Sequence, residues 1–259
     1  MIINSGRVFA FFSLAILSSC IIYSILKARG GKLPFIRSIP GLAALEEAVG
    51  RATEMGRPVH YTPGIADLSG ETAAQTYAGL EILSHVARLV ARYNAKIIVT
   101  IRIPIVLPMA EEIVHQAFLL EGKPDRYDPN SVRFLSSEQF AYAAGVMGIM
   151  EREEVAANIM LGAFWAESLL FAETGRHIGA IQIAGTANLH QIQFFVASCD
   201  YTMIGEDLYA AGAVVSQDPI KMGSIAGQDI GKIIALALLL VGVISKTIGS
   251  NWLNTMMSK

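Results

Sequence analysis

The sequence predicts an α/β domain with a mainly parallel sheet, held between two apolar helices at the ends of the chain. Three observations predict it. Five short runs rich in apolar and β-branched residues, at 58–61, 95–101, 131–135, 180–184 and 200–204, read as strands, and most are followed by helical spacing. Residues 179–215 compress that alternation into strand, tight turn, helix, strand, tight turn and helix, the length of a parallel crossover. Residues 8–26 and 230–248 are apolar stretches of membrane-spanning length. The layered, Rossmann-like arrangement that follows binds ligands beyond the carboxyl ends of its strands, so a site is sought there.

A hydrophobic share of 53% with only 16% charged residues stands against about 45–50% and about 25% in a soluble domain. The surplus has to lie in lipid or in a subunit interface. A net charge of −2 supplies no basic face, so nucleic acid is not an expected partner. Cys20 and Cys199 are far apart, and Cys20 lies in an apolar run, so neither a disulfide nor a metal site is expected. This cysteine usage is compatible with a reducing compartment.

Residues 8–26 (VFAFFSLAILSSCIIYSIL) carry no charge. A cleaved signal peptide is the rival reading, because Arg7 precedes the run and Leu17-Ser18-Ser19-Cys20 resembles a lipoprotein cleavage site. The run stays apolar through Ile21, Ile22, Ile25 and Leu26, where a lipoprotein turns polar, and this favours an uncleaved helix. In the second stretch, residues 233–245 are charge-free, and Lys232 and Lys246 are placed to snorkel to the interfaces. A buried core helix is the alternative there. Lys27, Arg29, Lys32 and Arg37 follow the first helix, against Arg7 before it. The positive-inside rule then gives a two-pass protein of the cell membrane with its domain on the cytoplasmic side.

The expected organisation is a transmembrane helix at 1–27, a linker at 28–39, the α/β domain at 40–215, a linker at 216–229, a second transmembrane helix at 230–249 and a tail at 250–259. Gly30, Gly31 and Pro34 break the first helix. Ser38-Ile39-Pro40 opens a helix to about Thr53, with a capping residue nearby and proline in the first turn. Residues 71–93 form a long helix whose apolar face carries Ala74, Tyr77, Leu80, Val86, Leu89 and Val90. The run at 95–101 (AKIIVTI) suits a central strand covered on both faces. Residues 108–120 are helical and 122–130 a polar loop. Pro219 and two glycines mark the second linker.

Residues 138–173 depart from this pattern. They read as two helices, 138–150 and 153–173, apolar nearly all the way round, with Met147, Ile159, Phe164 and Phe171 unable to share one stripe. Such helices are buried on every side, as central core, as a subunit interface, or in a membrane hairpin. The polar residues Glu151, Arg152, Glu153, Glu154, Asn158 and Glu167 disfavour the hairpin. With Gly145, Gly148 and Gly162 permitting close approach, this segment is expected to form much of a homo-oligomeric contact, with Met147 and Phe164 facing outward.

The candidate site residues are His60, Asp67, Gly185, Thr186, Asn188, Glu206 and Asp207. Gly185-Thr186-Ala187-Asn188 precedes a helix, so its backbone N–H groups are placed for a phosphate or carboxylate, although ordinary turn and capping chemistry explains it equally. Glu206-Asp207 after a strand reads as an acid/base or metal pair, or as the acidic first turn that any helix favours. His60 ends the first strand, and Asp67 stands near enough in sequence to form a pair with it. His85 and His115 fall within helices. The chain has neither G-x-G-x-x-G nor the P-loop pattern, and no H-E-x-x-H, C-x-x-C or G-x-S-x-G, so no cofactor, metal or hydrolase chemistry is expected.

Residues 203–219 (MIGEDLYAAGAVVSQDP), with 60–68 (HYTPGIADL) and 183–188 (IAGTAN), resemble an uncharacterised family of prokaryotic membrane proteins. The resemblance implies a folded core ahead of a C-terminal membrane helix and carries no activity. The function expected is a membrane-anchored homo-oligomeric scaffold, or a component of a larger membrane complex, with the bilayer, further copies and other subunits as partners. The alternative is a small-molecule or nucleotide-binding protein, or an enzyme, with its site at the strand ends.

Overall fold

The computed structural model describes residues 8–252 and residue 255. Arg7, on which the orientation argument draws, lies outside them, as does most of the tail. The chain divides into two units. One is Arg37–Ser216; the other joins the two ends, Met1–Ile36 and Gln217–Lys259, and contains helices α1 (Val8–Arg29) and α9 (Pro219–Thr247).

The Arg37–Ser216 unit is built on a six-stranded sheet of β1 (Val59–Gly64), β2 (Ile97–Ile101), β3 (Val132–Phe134), β4 (Ala157–Ala163), β5 (Ile181–Thr186) and β6 (Tyr201–Ile204). The order is β3-β2-β1-β4-β5-β6, with every neighbouring pair parallel. Helices α2 (Pro40–Met55), α3 (Ala73–Tyr93), α4 (Leu107–Leu120) and α8 (Glu206–Ser216) pack together on one face. Helices α5 (Gln139–Arg152), α6 (Glu167–His177) and α7 (Leu189–Ser198) cover the other. This is the α/β architecture expected, in the Rossmann strand order. The winding reverses between β1 and β4, whose carboxyl ends flank the switch point.

One element differs from expectation. The stretch 153–173, read as a single helix, contains the central strand β4, all of whose residues are buried. A strand covered by helices on both faces shows no apolar/polar alternation, so its sequence imitates a buried helix. Helix α5 ends at Arg152 with Glu153 as its C-cap, Glu154 turns the chain at φ +48°, and Ala156 N–H bonds to the Pro58 carbonyl as β4 opens beside β1. The apolar surplus of this segment therefore lies largely inside the domain. Phe164, expected to face outward, is fully buried and meets Phe195 edge-on at a ring separation of 5.6 Å. Tyr142, Val146 and Met150 of α5, Phe171 of α6 and Phe195 of α7 form one core with it.

Helix α2 starts on Pro40 with Ile39 as its uncapped N-cap, and ends in a left-handed Gly56 at φ +67°. In the other unit, α9 begins at Pro219, within the stretch expected as linker. Proline suits the first helical position, and Asp218 caps it by accepting the Ile220 N–H at 2.8 Å. The glycines beyond it do not break the helix, because Gly223, Gly227 and Gly231 are the surface on which α1 packs. Both α1 and α9 are long and apolar enough to cross a membrane.

Candidate functional site

A row of polar side chains runs across the sheet beneath α5, α6 and α7. Register sets His60 of β1, Asn158 of β4 and Gln182 of β5 side by side, and all are buried. Their hydrogen bonds fix one another's direction. Gln182 Nε2 lies 2.8 Å from the Ala172 carbonyl and 3.1 Å from that of Ser198, and carbonyls only accept. Gln182 therefore turns Oε1 towards Asn158, whose Nδ2 donates to it at 3.1 Å. Asn158 is left to present Oδ1 to His60 Nδ1 at 2.8 Å, so that nitrogen carries the proton. His60 Nε2 must then accept, and Thr100 Oγ1, 2.9 Å away, donates to it. Tyr142 OH closes the row, 3.0 Å from Thr100 Oγ1 and 2.8 Å from Thr62 Oγ1.

This row holds His60 as a neutral imidazole. Burial lowers its pKa from 6.5 to about 4, opposed by the hydrogen bond that it donates to Asn158. Burial likewise pushes the Tyr142 phenol up to about 12, with the Thr100 and Thr62 hydrogen bonds opposing. Both ring nitrogens of His60 are committed to protein partners. Asp67 is not among them: it is exposed on the loop after β1, and its Oδ1 accepts the Leu68 N–H.

At the switch point the backbones of β1, β4 and α3 meet directly. A Cβ at Gly162 would overlap the Pro63 carbonyl, one at Gly64 would lie 2.5 Å from the Ala163 carbonyl oxygen, and one at Gly79 would overlap Leu161. Tyr61 OH donates to the Gly79 carbonyl and pins α3 to the strand. Gly64 has φ +89°, so two separate requirements select glycine there.

The turn after β5 is filled by α3. Buried Gln75 accepts with Oε1 from the Ala187 N–H at 2.8 Å and Thr186 Oγ1 at 3.1 Å, and donates with Nε2 to Asn188 Oδ1 at 3.0 Å. Asn188 Nδ2 bonds to the Phe164 carbonyl at 2.7 Å, and the Asn188 N–H to Thr186 Oγ1 at 3.2 Å. The N–H groups that would cradle an anion thus have partners within the chain. Gly185 is buried, with Leu161 and Met203 against its Cα. Thr76, beside Gln75, donates to the carbonyls of Ala66 and Asp67, so Thr186, Asn188 and the Asp67 backbone gather around the first turn of α3. Glu206 and Asp207 stand apart at the start of α8, where Asp207 forms a 2.7 Å ion pair with Arg37. Among the described residues no cluster of three metal-ligating side chains occurs.

Residues 1–257 match the domain of unknown function DUF6754. The chain belongs to that family. Neither a curated protein nor a solved structure matches it.

In this DUF6754 chain the structure adds polar residues to the candidate site set. Asn158 is the lone polar residue in the run 155–164 (VAANIMLGAF apart from its neighbours), a signal visible in the sequence. Gln75 lies on the apolar face of α3 and had no such contrast. Glu167 follows β4 and is fully buried, accepting the Trp165 N–H at 2.9 Å and Gln139 Nε2 at 2.5 Å. Arg102 follows β2 and donates to the Ile65 carbonyl at 2.9 Å, while its buried Nε has no partner among the described residues. On the outer surface, α5 and α6 form a groove of about 470 Å³ with Met147 and Leu170 in its floor and Glu151, Glu173, Arg176 and His177 around it.

Proposed function

We propose that the chain is a two-pass membrane protein whose α/β domain serves as a homo-oligomeric scaffold, or as one component of a larger membrane complex, on the cytoplasmic side. The observation that carries the reading is the apolar surface of α1 and α9. Each pairs with the other along one side and turns the rest outward, with only 6% and 11% of their apolar windows buried. Lipid is the solvent for such a surface. The basic residues Lys27, Arg29, Lys32 and Arg37 after α1 support the orientation.

Assembly is supported by the outer face of α5. Phe140, Ala141 and Ala144 are exposed, Met147 is half-buried, and residues 139–150 carry no charge. This face runs into the α5–α6 groove, and a second copy is the partner proposed for it. The test changes Phe140 to Lys and Met147 to Asp in detergent-solubilised protein and measures mass by light scattering. A smaller, folded species is expected. A mass identical to that of the unaltered protein removes this contact from the reading.

A second reading, a ligand-binding protein or enzyme with its site at the strand ends, is favoured by Glu167 and Arg102. They sit beyond β4 and β2: Glu167 is fully buried, and Arg102 has a buried Nε without a partner among the described residues. A thermal-shift screen of nucleotides and small carboxylates against the unaltered and Glu167→Gln proteins tests it. A ligand that raises Tm only in the unaltered protein would put this reading ahead of the first.

A further inference from the structure

Helices α1 and α9 run antiparallel, and three glycines fix their register. Gly223 lies against Ser24 and Ile25, Gly227 against Cys20 and Ile21, and Gly231 against Leu17, and at each a Cβ would come closer than packing allows. Leu17 is also the midpoint of the charge-free run of α1, residues 8–26. Gly231, level with it, comes before the charge-free run of α9, residues 233–245. The two apolar runs are therefore out of register by about eight residues, which is about 12 Å along the helix axis.

A hydrocarbon layer about 30 Å thick cannot match both. Placed on α9, it leaves Ile22, Tyr23 and Leu26 in water, each more than half exposed. Placed on α1, it keeps those side chains in lipid but takes in Asp229 and Lys232, level with residues 16–19. These two form a 2.9 Å ion pair one turn apart. They point away from α1, because the glycines that meet α1 occupy the opposite face. Charges on a face turned to hydrocarbon are expensive and mark a side that protein or water covers. The same face continues through Ile233, Leu236, Leu240 and Val243, all more than half exposed. Positions 229, 233, 236, 240 and 243 alternate steps of four and three, the spacing of a left-handed helix–helix seam.

We propose that a second copy of this helical hairpin packs along that seam, with Asp229 of each copy paired to Lys232 of the other across a twofold axis. The occupant follows from the charges. A carboxylate and an ammonium one turn apart present a self-complementary patch, which is what an isologous contact requires. Two-pass anchoring also holds the copies in one plane at one depth, which raises their effective concentration. The proposal rests on the two-pass reading and does not depend on the α5 contact.

The test uses the full chain in its membrane, with Cys20 and Cys199 changed to Ser and single cysteines introduced on α9. Under oxidation, Leu236→Cys on the seam is expected to form disulfide dimers at least tenfold more readily than Ala235→Cys beside it. In the Leu236→Cys background, Asp229→Lys and Lys232→Asp each lower that yield at least fivefold. Co-expressed under different tags, the two charge variants cross-link to each other at the level of the unaltered seam. An ion pair confined to one chain cannot produce that recovery. Equal yields at 235 and 236, a seam yield indifferent to charge reversal, a mixed pair that does not recover, or a cross-link to a different protein each overturns the proposal. Phe140→Lys keeps the seam cross-link, so loss of the domain contact is read separately. A chain that alkaline carbonate washes from the membrane overturns the two-pass reading and the seam with it.

Discussion

Asn158 orients the residues on both sides of it: its amide faces Gln182 with nitrogen and His60 with oxygen. Replacing it with Leu leaves the His60 Nδ1–H and Gln182 Oε1 buried without partners, at a cost of about 3 kcal/mol. Urea unfolding of the Asn158→Leu protein measures this as a lower midpoint at unchanged slope. His60 itself gives a pH signature. Its folded pKa, about 4, lies below the usual 6.5 of a histidine. The unfolded chain therefore binds a proton below about pH 6.5 that the folded chain refuses. Stability is complete above that pH and falls as the pH drops towards 4, by about 2 kcal/mol between about pH 7.5 and 5. His85 is shifted in the same direction, chiefly by burial, so the comparison is made with His60→Leu. That variant should lose this part of the slope and keep the rest; an unchanged slope would mean that His60 is charged when folded. Cys199 is inert for a similar reason, its thiol pushed up to about 12 by burial. In a Cys20→Ser protein, maleimide at neutral pH should modify Cys199 only after denaturation, as read by mass spectrometry.

At the scale of elements, what the sequence revealed depended on whether an element has a wet side. Helix α3 shows its apolar face in Leu80, Val86, Leu89 and Val90 beside half-buried His85, although Ala74 and Tyr77, expected on that face, are exposed. Strands β2 and β5 were found from β-branched runs closed by turn residues. Strand β4 was not, because Ala157–Ala163 is buried on both sides and holds alanine, methionine and leucine as readily as a helix would. Asn158 interrupts its apolar run, and Gly162, expected at the close approach of a homo-oligomeric contact, lies inside the domain. The close packing is real, but its partner is the Pro63 carbonyl of β1. Gln75 was illegible for a comparable reason: a buried glutamine that fills a turn on another element leaves no periodic trace. Gly162→Ala should cost about 3 kcal/mol, because the obstructing atoms are backbone and the bulged end of β1 must move. Gly122→Ala is the control. Its φ of +70° costs about 1 kcal/mol, and nothing lies near its Cα to clash. Equal losses of Tm in the two variants would show that conformation, and not the contact at the strand ends, selects Gly162.

For the whole molecule, the division at Arg37 and Ser216 separates two kinds of surface. The α/β unit buries most of the apolar residues of 153–173, with Trp165 and Leu169 left exposed, and satisfies its internal polar row. The helices at the ends bury little except along their glycine face. Each unit is compact by itself. The excised Arg37–Ser216 segment should therefore be soluble and folded, and should unfold in one cooperative urea transition. It should also be monomeric at micromolar concentration in the ultracentrifuge. On the two-pass reading proposed above, removing α1 and α9 takes away the shared plane that would raise effective concentration, so the proposed α5 contact would show only at much higher concentration. The full chain, extracted in mild detergent, should sediment as an assembly. An excised segment that aggregates would mean that its apolar face needs the helices as cover. One that is already a stable oligomer would move the main contact from the membrane helices to the domain.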